Sequence, residues 1–317
     1  MAVAALRDVL PLLRCPRCGS SVVPRSDAFR CADPSCPLAA AGSFPVVDRW
    51  PVLVDFERSV LDRAQLTAGR TVRHELHRSR TDLLPRSVRR IWRPPNQVAR
   101  ANVRRLLALL ERPARILVVG GGSLGNGVEE LYAADVEVIG FDLYGSDLTQ
   151  LVADAHAIPL AAGCVDAVVV QAVLEHVLDP ARVVAEIHRV LRPDGLVYAE
   201  TPFLQQVHAG PYDFTRFTAS GHRYLFRRFS QLNAGPVAGP GTVLLWSAEH
   251  VVRGLTGSEL AGRLARAALL WLRLLDRCIT ADHAGDSASA LFFLGRRCDR
   301  ELTAAEIVAY YPGAQRG

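Results

Sequence analysis

An apolar run, a glycine turn and three polar stops organise residues 116–177. Ile116-Leu117-Val118-Val119 ends on Gly120-Gly121-Gly122-Ser123-Leu124-Gly125, and the next stop is Gly140-Phe141-Asp142. Val152-Ala153-Asp154-Ala155-His156 comes next, and Val165-Asp166-Ala167-Val168-Val169-Val170-Gln171 runs on to Leu174-Glu175-His176-Val177. This pattern predicts strands of one parallel sheet whose polar stops line its carboxyl edge, where open α/β sheets bind ligands. A strand ending in glycines lets a ligand approach the main chain, and a helix predicted after the turn would offer its free N–H groups to an anion.

Gly120, Gly122 and Gly125 fit G-x-G-x-x-G, and Asp142 stands at the distance of a ribose-binding acid in a dinucleotide fold. Taken alone, those residues leave more than one nucleotide-binding fold open. Three later segments, Leu174-Glu175-His176-Val177, 186–195 (Glu-Ile-His-Arg-Val-Leu-Arg-Pro-Asp-Gly) and 196–202 (Leu-Val-Tyr-Ala-Glu-Thr-Pro), separate them. Over roughly residues 110–230 the chain resembles the class I S-adenosylmethionine-dependent methyltransferases, with 196–202 similar to the fifth strand and 289–297 to the last. The resemblance implies a doubly wound, Rossmann-like, mostly parallel sheet with an antiparallel last strand at its edge. It implies that Asp142, with Leu143 beside it, receives the ribose hydroxyls, since a carboxylate accepts both at once. It further implies that Asp154 and the backbone of Ala155 and His156 meet the adenine. The methionine end would lie along Gly120, Gly121 and Gly122, and Gln171 would line the reacting end. Val118 departs from the family, in which an acid often stands there, and Leu124 occupies the place of a common third glycine.

Near the start of the chain, Cys15-Pro16-Arg17-Cys18 and Cys31-x4-Cys36 bring four cysteines into a short Pro- and Gly-rich segment. Such spacings let knuckle turns aim thiolates at one tetrahedral ion, and a segment this small needs the metal to become ordered. The region 10–55 resembles the zinc-ribbon-like domains found beside many methyltransferases, with 44–53 as the closing hairpin, so structural zinc on Cys15, Cys18, Cys31 and Cys36 is expected. The expected organisation is a zinc ribbon over 1–56, a basic helical linker over 57–115, a cofactor-binding core over 116–230, and a C-terminal helix and strand over 231–317.

All 37 basic residues are arginine, which excludes lysine-based chemistry. Residues 70–115 carry thirteen arginines against Glu75, Asp82 and Glu111, a net of +10. Arg86, Arg89, Arg90 and Arg93 near Trp92 form the mixture that grips a nucleic-acid backbone, but a helix over 98–110 with a wet arginine face accounts for part of the charge. No spanning helix is expected. Met1–Leu13 includes Arg7 and Asp8 and no cleavage site, so no leader is expected, and a cytoplasmic location with free thiols at Cys164, Cys278 and Cys298 is the consequence.

After the fifth strand, 201–218 places His208, Tyr212, Asp213 and Arg216 among aromatics, where it would overhang the sulfonium. Similar strings occur in bacterial methyltransferases of saccharide and secondary-metabolite pathways. A hydroxyl acceptor needs a base, for which His208 is the first choice, with Asp213 as its orienter or substitute. Arg216 would hold an acidic substrate group or pair with Asp213. His176 and His188 read as ordinary helix residues, and 258–277 as one amphipathic helix that packs on its own domain, lids a substrate or lies on a membrane surface. The reading is methyl transfer to a small-molecule acceptor. The alternatives are an RNA methyltransferase, with nucleic acid the less favoured partner, and a non-catalytic scaffold. The acceptor and the oligomeric state are not legible.

Overall fold

The computed structural model describes residues 3–67 and 94–315, so Arg86, Arg89, Arg90, Trp92 and Arg93 lie outside the described residues. Among the described residues eleven strands join in one sheet. They are β1 (Val22–Pro24), β2 (Ala28–Cys31), β3 (Phe44–Val47), β4 (Trp50–Leu53), β5 (Arg115–Val119), β6 (Glu137–Asp142), β7 (Leu151–Ala153), β8 (Val165–Gln171), β9 (Leu191–Pro202), β10 (Phe229–Ala238) and β11 (Ala290–Arg297). Their order is β1-β2-β3-β4-β7-β6-β5-β8-β9-β11-β10. The pairs from β4 through β9 are parallel, and the outer pairs at both ends are antiparallel. This is a Rossmann-like α/β sheet, and the chain direction across it reverses between β5 and β8.

Alternate residues of the central strands face opposite layers, as the pleat requires. Leu117, Val119, Val168, Val170, Val197 and Ala199 point to one layer, and Ile116, Val118, Ala167, Val169, Leu196 and Tyr198 to the other. Both faces are therefore apolar, the mark of a sheet covered on both sides. Among the described residues the five α-helices of seven or more residues are α1 (Gln97–Leu109), α2 (Pro180–Val190), α3 (Ala219–Leu225), α4 (Pro240–Thr256) and α5 (Glu259–Ala268). Asn96 caps α1 by accepting from the Ala99 N–H, and Asp179 caps α2 by accepting from the Arg182 N–H, with Pro180 preset for the first turn. Ala99, Val103 and Leu106 of α1 cover one face, and Val183, Val184, Ile187 and Val190 of α2 the other.

The N-terminal segment is built into this sheet. β4 pairs in parallel with β7, and Cys15, Phe29, Cys31, Cys36 and Phe44 share the α2-side core with Leu117 and Phe141. Trp50 fixes the join: its Nε1–H donates to Ser146 O at 3.2 Å and Thr149 O at 3.1 Å, and its ring lies where any side chain at Gly145 would stand.

Three expectations are corrected. The segment between β5 and β6 holds only a short 3-10 turn, Glu129–Tyr132, so no α-helix N-terminus faces the glycine turn. The last strand, β11, is antiparallel but not at the edge; it inserts between β9 and β10, and β10 is outermost. Gly235 and Pro236 disguise β10 in the sequence, and Pro236 is tolerated because this is the edge strand. The amphipathic stretch 258–277 is α5 followed by a 3-10 turn, Leu270–Arg277, and α4 precedes it, beginning at Pro240 and closing on Gly257 with φ +63°.

Candidate active site

At the end of β5 the chain turns sharply through Gly120, whose φ is +71°. The Gly121 N–H donates to Phe141 O at 2.9 Å, locking the turn to β6. Asp142 ends β6, and its carboxylate accepts from the N–H of Gly122 at 2.8 Å and of Leu143 at 2.7 Å. A Cβ on Gly122 would stand 2.7 Å from Asp142 Oδ2 and 2.5 Å from the Tyr144 ring, so only glycine leaves room there. A carboxylate held rigidly beside a bare backbone turn fits the ribose and methionine portions of S-adenosylmethionine.

Asp154, at the end of β7, is buried but well matched. It accepts from His156 N–H at 2.9 Å, His156 Nδ1 at 2.6 Å and Ser59 Oγ at 2.5 Å. Burial works against its charge, but these donors outweigh it and hold Asp154 below the usual carboxylate range. His156 Nε2 accepts from the Asp179 N–H at 3.1 Å, so Nδ1 carries the ring proton toward Asp154. Ala155 is buried and begins the turn Ala155–Ala157. Ser59 belongs to the loop after β4, which Arg17 of the first cysteine knuckle steadies. The Arg17 guanidinium grips Asp55 and reaches Glu57 Oε2 at 2.5 Å. No local motif marks Ser59; only its placement beside Asp154 reveals it.

At the ends of β8 and β9, Gln171 and Glu200 form one polar cluster. Gln171 Nε2 donates to Glu200 Oε2 at 2.7 Å and to Asn126 O at 3.0 Å. Glu200 also accepts from Asn96 Nδ2 at 3.1 and 3.0 Å and from the Tyr198 hydroxyl. Burial raises the Glu200 carboxyl despite these donors. A Cβ on Gly125 would lie 2.1 Å from Gln171 Oε1, so a side chain there would displace the Gln171 amide, whereas Leu124 is exposed. Glu200 was missed in the sequence, although an acid standing alone in the apolar run of β9 is itself a signal.

The loop after β9 is docked on the turn after β8. The N–H groups of Phe214 and Thr215 donate to Glu175 O at 2.8 and 3.3 Å. Asp213 pairs with the Arg216 guanidinium, which lowers its carboxyl strongly, and accepts from the His208 N–H at 2.9 Å. Arg216 also donates to the carbonyls of Gln205, Thr215 and Gln206, so it ties the loop together. The exposed His208 ring lies 5.0 Å from the His176 ring, edge to face. His176 Nδ1 meets Tyr212 O at 2.7 Å; a carbonyl only accepts, so Nδ1 bears the proton and Nε2, 3.7 Å from Glu175 Oε1, is the acceptor nitrogen. His176 closes a 3-10 turn, and His188 is buried in α2 against Cys298 O.

The four cysteines converge. Cys15 and Cys36 Sγ are 3.8 Å apart, Cys18 and Cys31 Sγ 3.4 Å, and all four lie within 4.8 Å of one another. Zinc–thiolate bonds of about 2.3 Å in a tetrahedron put sulfurs about 3.8 Å apart, so the geometry fits. Burial pushes the Cys15 thiol up to about 11 and raises Cys31 as well, whereas at Cys18 hydrogen bonds from Ser20 and the neighbouring thiols outweigh burial and bring the thiol down to about 7. By contrast, the cleft of about 540 Å³ around Arg115, Asp166 and Arg192 opens at the amino ends of the strands, away from these groups.

Residues 117–199 match the family described as methyltransferase domain. The match runs from β5 into β9 and contains Asp142, Asp154, Gln171 and Glu175. The match supports an enzyme with a methyltransferase domain over these residues. No curated protein matches the chain. Among solved structures, one assigned as a sarcosine dimethylglycine methyltransferase from Galdieria sulphuraria is 15% identical, covering 74% of this chain and 97% of that one, with a TM-score of 0.45. A methyltransferase from Archaeoglobus fulgidus is 14% identical over 67% and 98%, TM-score 0.43. The Burkholderia thailandensis 1,6-didemethyltoxoflavin N1-methyltransferase, holding its substrate and S-adenosylhomocysteine, is 17% identical over 67% and 83%, TM-score 0.40.

Proposed function

We propose that this chain is an S-adenosylmethionine-dependent methyltransferase acting on a hydroxyl of a small molecule, a saccharide or secondary metabolite, seated against the loop 203–218. The observation that carries the reading is the docking of that loop on the Glu175 carbonyl, which holds an exposed imidazole, His208, at the carboxyl edge of β8 and β9. When bound, S-adenosylmethionine supplies a methyl carbon on a cationic sulfur. Asp142 would take the ribose hydroxyls, with Leu143 fixing its carboxylate. Asp154, Ala155 and His156 would meet the adenine, Gly120, Gly121 and Gly122 the methionine end, and Gln171, clamped by Glu200, the reacting end. The hydroxyl must lie in line with the methyl–sulfur bond and lose its proton. His208 Nε2 would take that proton, Asp213 would orient the ring, and Tyr212 would line the site through its side chain. Arg216 serves by holding Asp213 and the loop.

Titration calorimetry with S-adenosylhomocysteine, with NAD as the control, tests the donor. Micromolar binding of the former and none of the latter is expected. Asp142→Ala should weaken binding about 100-fold, the effect of losing roughly 3 kcal/mol of charge-assisted hydrogen bonding. No binding to metal-replete protein would overturn the reading. An RNA acceptor would instead reveal itself as binding that falls steeply with salt.

We also propose that Cys15, Cys18, Cys31 and Cys36 hold a structural zinc. Because this segment shares the core with α2 and β5, chelation or Cys31→Ser should lower the melting temperature of the whole chain and open 10–55 to protease. Unchanged melting after complete zinc removal would refute it.

A further inference from the structure

Glu175 is nearly fully buried, yet its Oε2 has no hydrogen-bond partner among the described residues. A buried carboxylate oxygen left without a donor is costly and needs a reason. Two imidazoles stand beside the carboxylate: one ligand atom each of Glu175, His176 and His208 lie within 4.8 Å of one another. His176 Nε2 is 3.7 Å from Glu175 Oε1. The Nδ1 of His176 is committed to Tyr212 O, and the Nδ1 of His208 lies 3.4 Å from Asp213 Oδ2. Backing of Nδ1 by a carbonyl or carboxylate is the outer-shell arrangement that presents Nε2 to a metal. The nearby Arg216 charge is already matched by Asp213.

We propose that Glu175, His176 and His208 bind a divalent first-row transition cation at the acceptor edge of the site. Two imidazoles and one carboxylate suit Mn2+, Co2+, Ni2+ or Zn2+ better than the all-oxygen preference of Mg2+ or Ca2+. Bonds of about 2.1 Å place neighbouring ligand atoms about 3 Å apart, so the triangle must tighten by an ångström or two. The exposed His208 can supply that movement. The site deepens the methyl-transfer reading and rests on it only for its chemistry. A hydroxyl on the cation loses its proton to water more readily. Its oxygen then bonds to the methyl carbon as the carbon–sulfur bond breaks to leave a neutral thioether. In the metal-loaded protein His208 is thus a ligand, and ionisation of the acceptor no longer requires it as a base.

The test is a Mn2+ and Co2+ titration of the full, zinc-loaded chain, followed by equilibrium dialysis and, for Mn2+, pulsed electron paramagnetic resonance. One equivalent beyond the zinc is expected, with imidazole-nitrogen coupling in the Mn2+ spectrum. His208→Ala, a change at an exposed position, should weaken binding at least about tenfold and remove part of that coupling, and Glu175→Gln should weaken it similarly. Absence of a second equivalent for both ions, or equal binding by wild type and His208→Ala, would overturn the site. S-adenosylhomocysteine calorimetry on the same wild-type sample reports separately on the donor, so the two readings fail independently.

Discussion

Two carboxylates at the edge of the sheet are both buried, and each has a histidine close by in sequence, yet they have opposite character. Asp154 accepts from Ser59 and twice from His156 and is held low. Glu175 has an orphan oxygen, and burial pushes it up to about 8. Burial alone cannot explain the difference; the donors supplied by neighbouring segments do. Asp154 lies under the loop after β4 and is finished before any ligand arrives. Glu175 lies where two loops meet and remains open to one.

The comparison can be broken most forcefully at its satisfied member. Asp154→Ala strands the Ser59 hydroxyl and two His156 donors, and should cost about 2–4 kcal/mol in chemical denaturation as well as weakening S-adenosylhomocysteine. A third buried group, His222, sharpens the principle. It packs against Phe217, Phe226 and Phe293 with no hydrogen-bond partner for Nε2 among the described residues, and burial lowers it to about 3. The unfolded chain binds a proton there as pH falls below about 6.5, whereas the folded chain resists until about 3. Stability is therefore lost through that window, by about 2 kcal/mol at pH 5. Melting temperatures at pH 7.5 and 5 should diverge less in His222→Phe. Ser59→Ala removes one donor to Asp154 and should cost about 0.5–1.5 kcal/mol, with a few-fold loss of cofactor affinity by calorimetry. The smallest effect is expected at the open member: Glu175→Gln keeps the shape, removes a poorly solvated acid and should leave the melting temperature unchanged or higher. A marked drop would mean that Glu175 has donors in the folded protein after all.

Much of the fold was legible because its signals are local. Apolar runs ending on Gly120, Asp142, Asp154 and Gln171 mark strands, and those residues do stand at or just past the ends of β5, β6, β7 and β8. The hairpin over 44–53 was readable for the same reason. β10 was not, since Gly235 and Pro236 look like a break unless the strand is known to lie at an edge. The missing helix after β5 was equally hidden: glycines announce a tight turn but carry no signal for the element beyond it.

By itself, then, the sequence determined the strand-forming runs, the bare glycine turn and the cysteine knuckle spacing, all of which depend on residues a few positions apart. The tertiary structure alone decided that Ser59 reaches Asp154, that Asn96 reaches Glu200 and that His208 joins Glu175 and His176. Ser59, Asn96 and His208 lie tens of residues from those partners, and only the pairing of β4 with β7, the packing of α1 on β9 and the docking of the loop after β9 bring their side chains together.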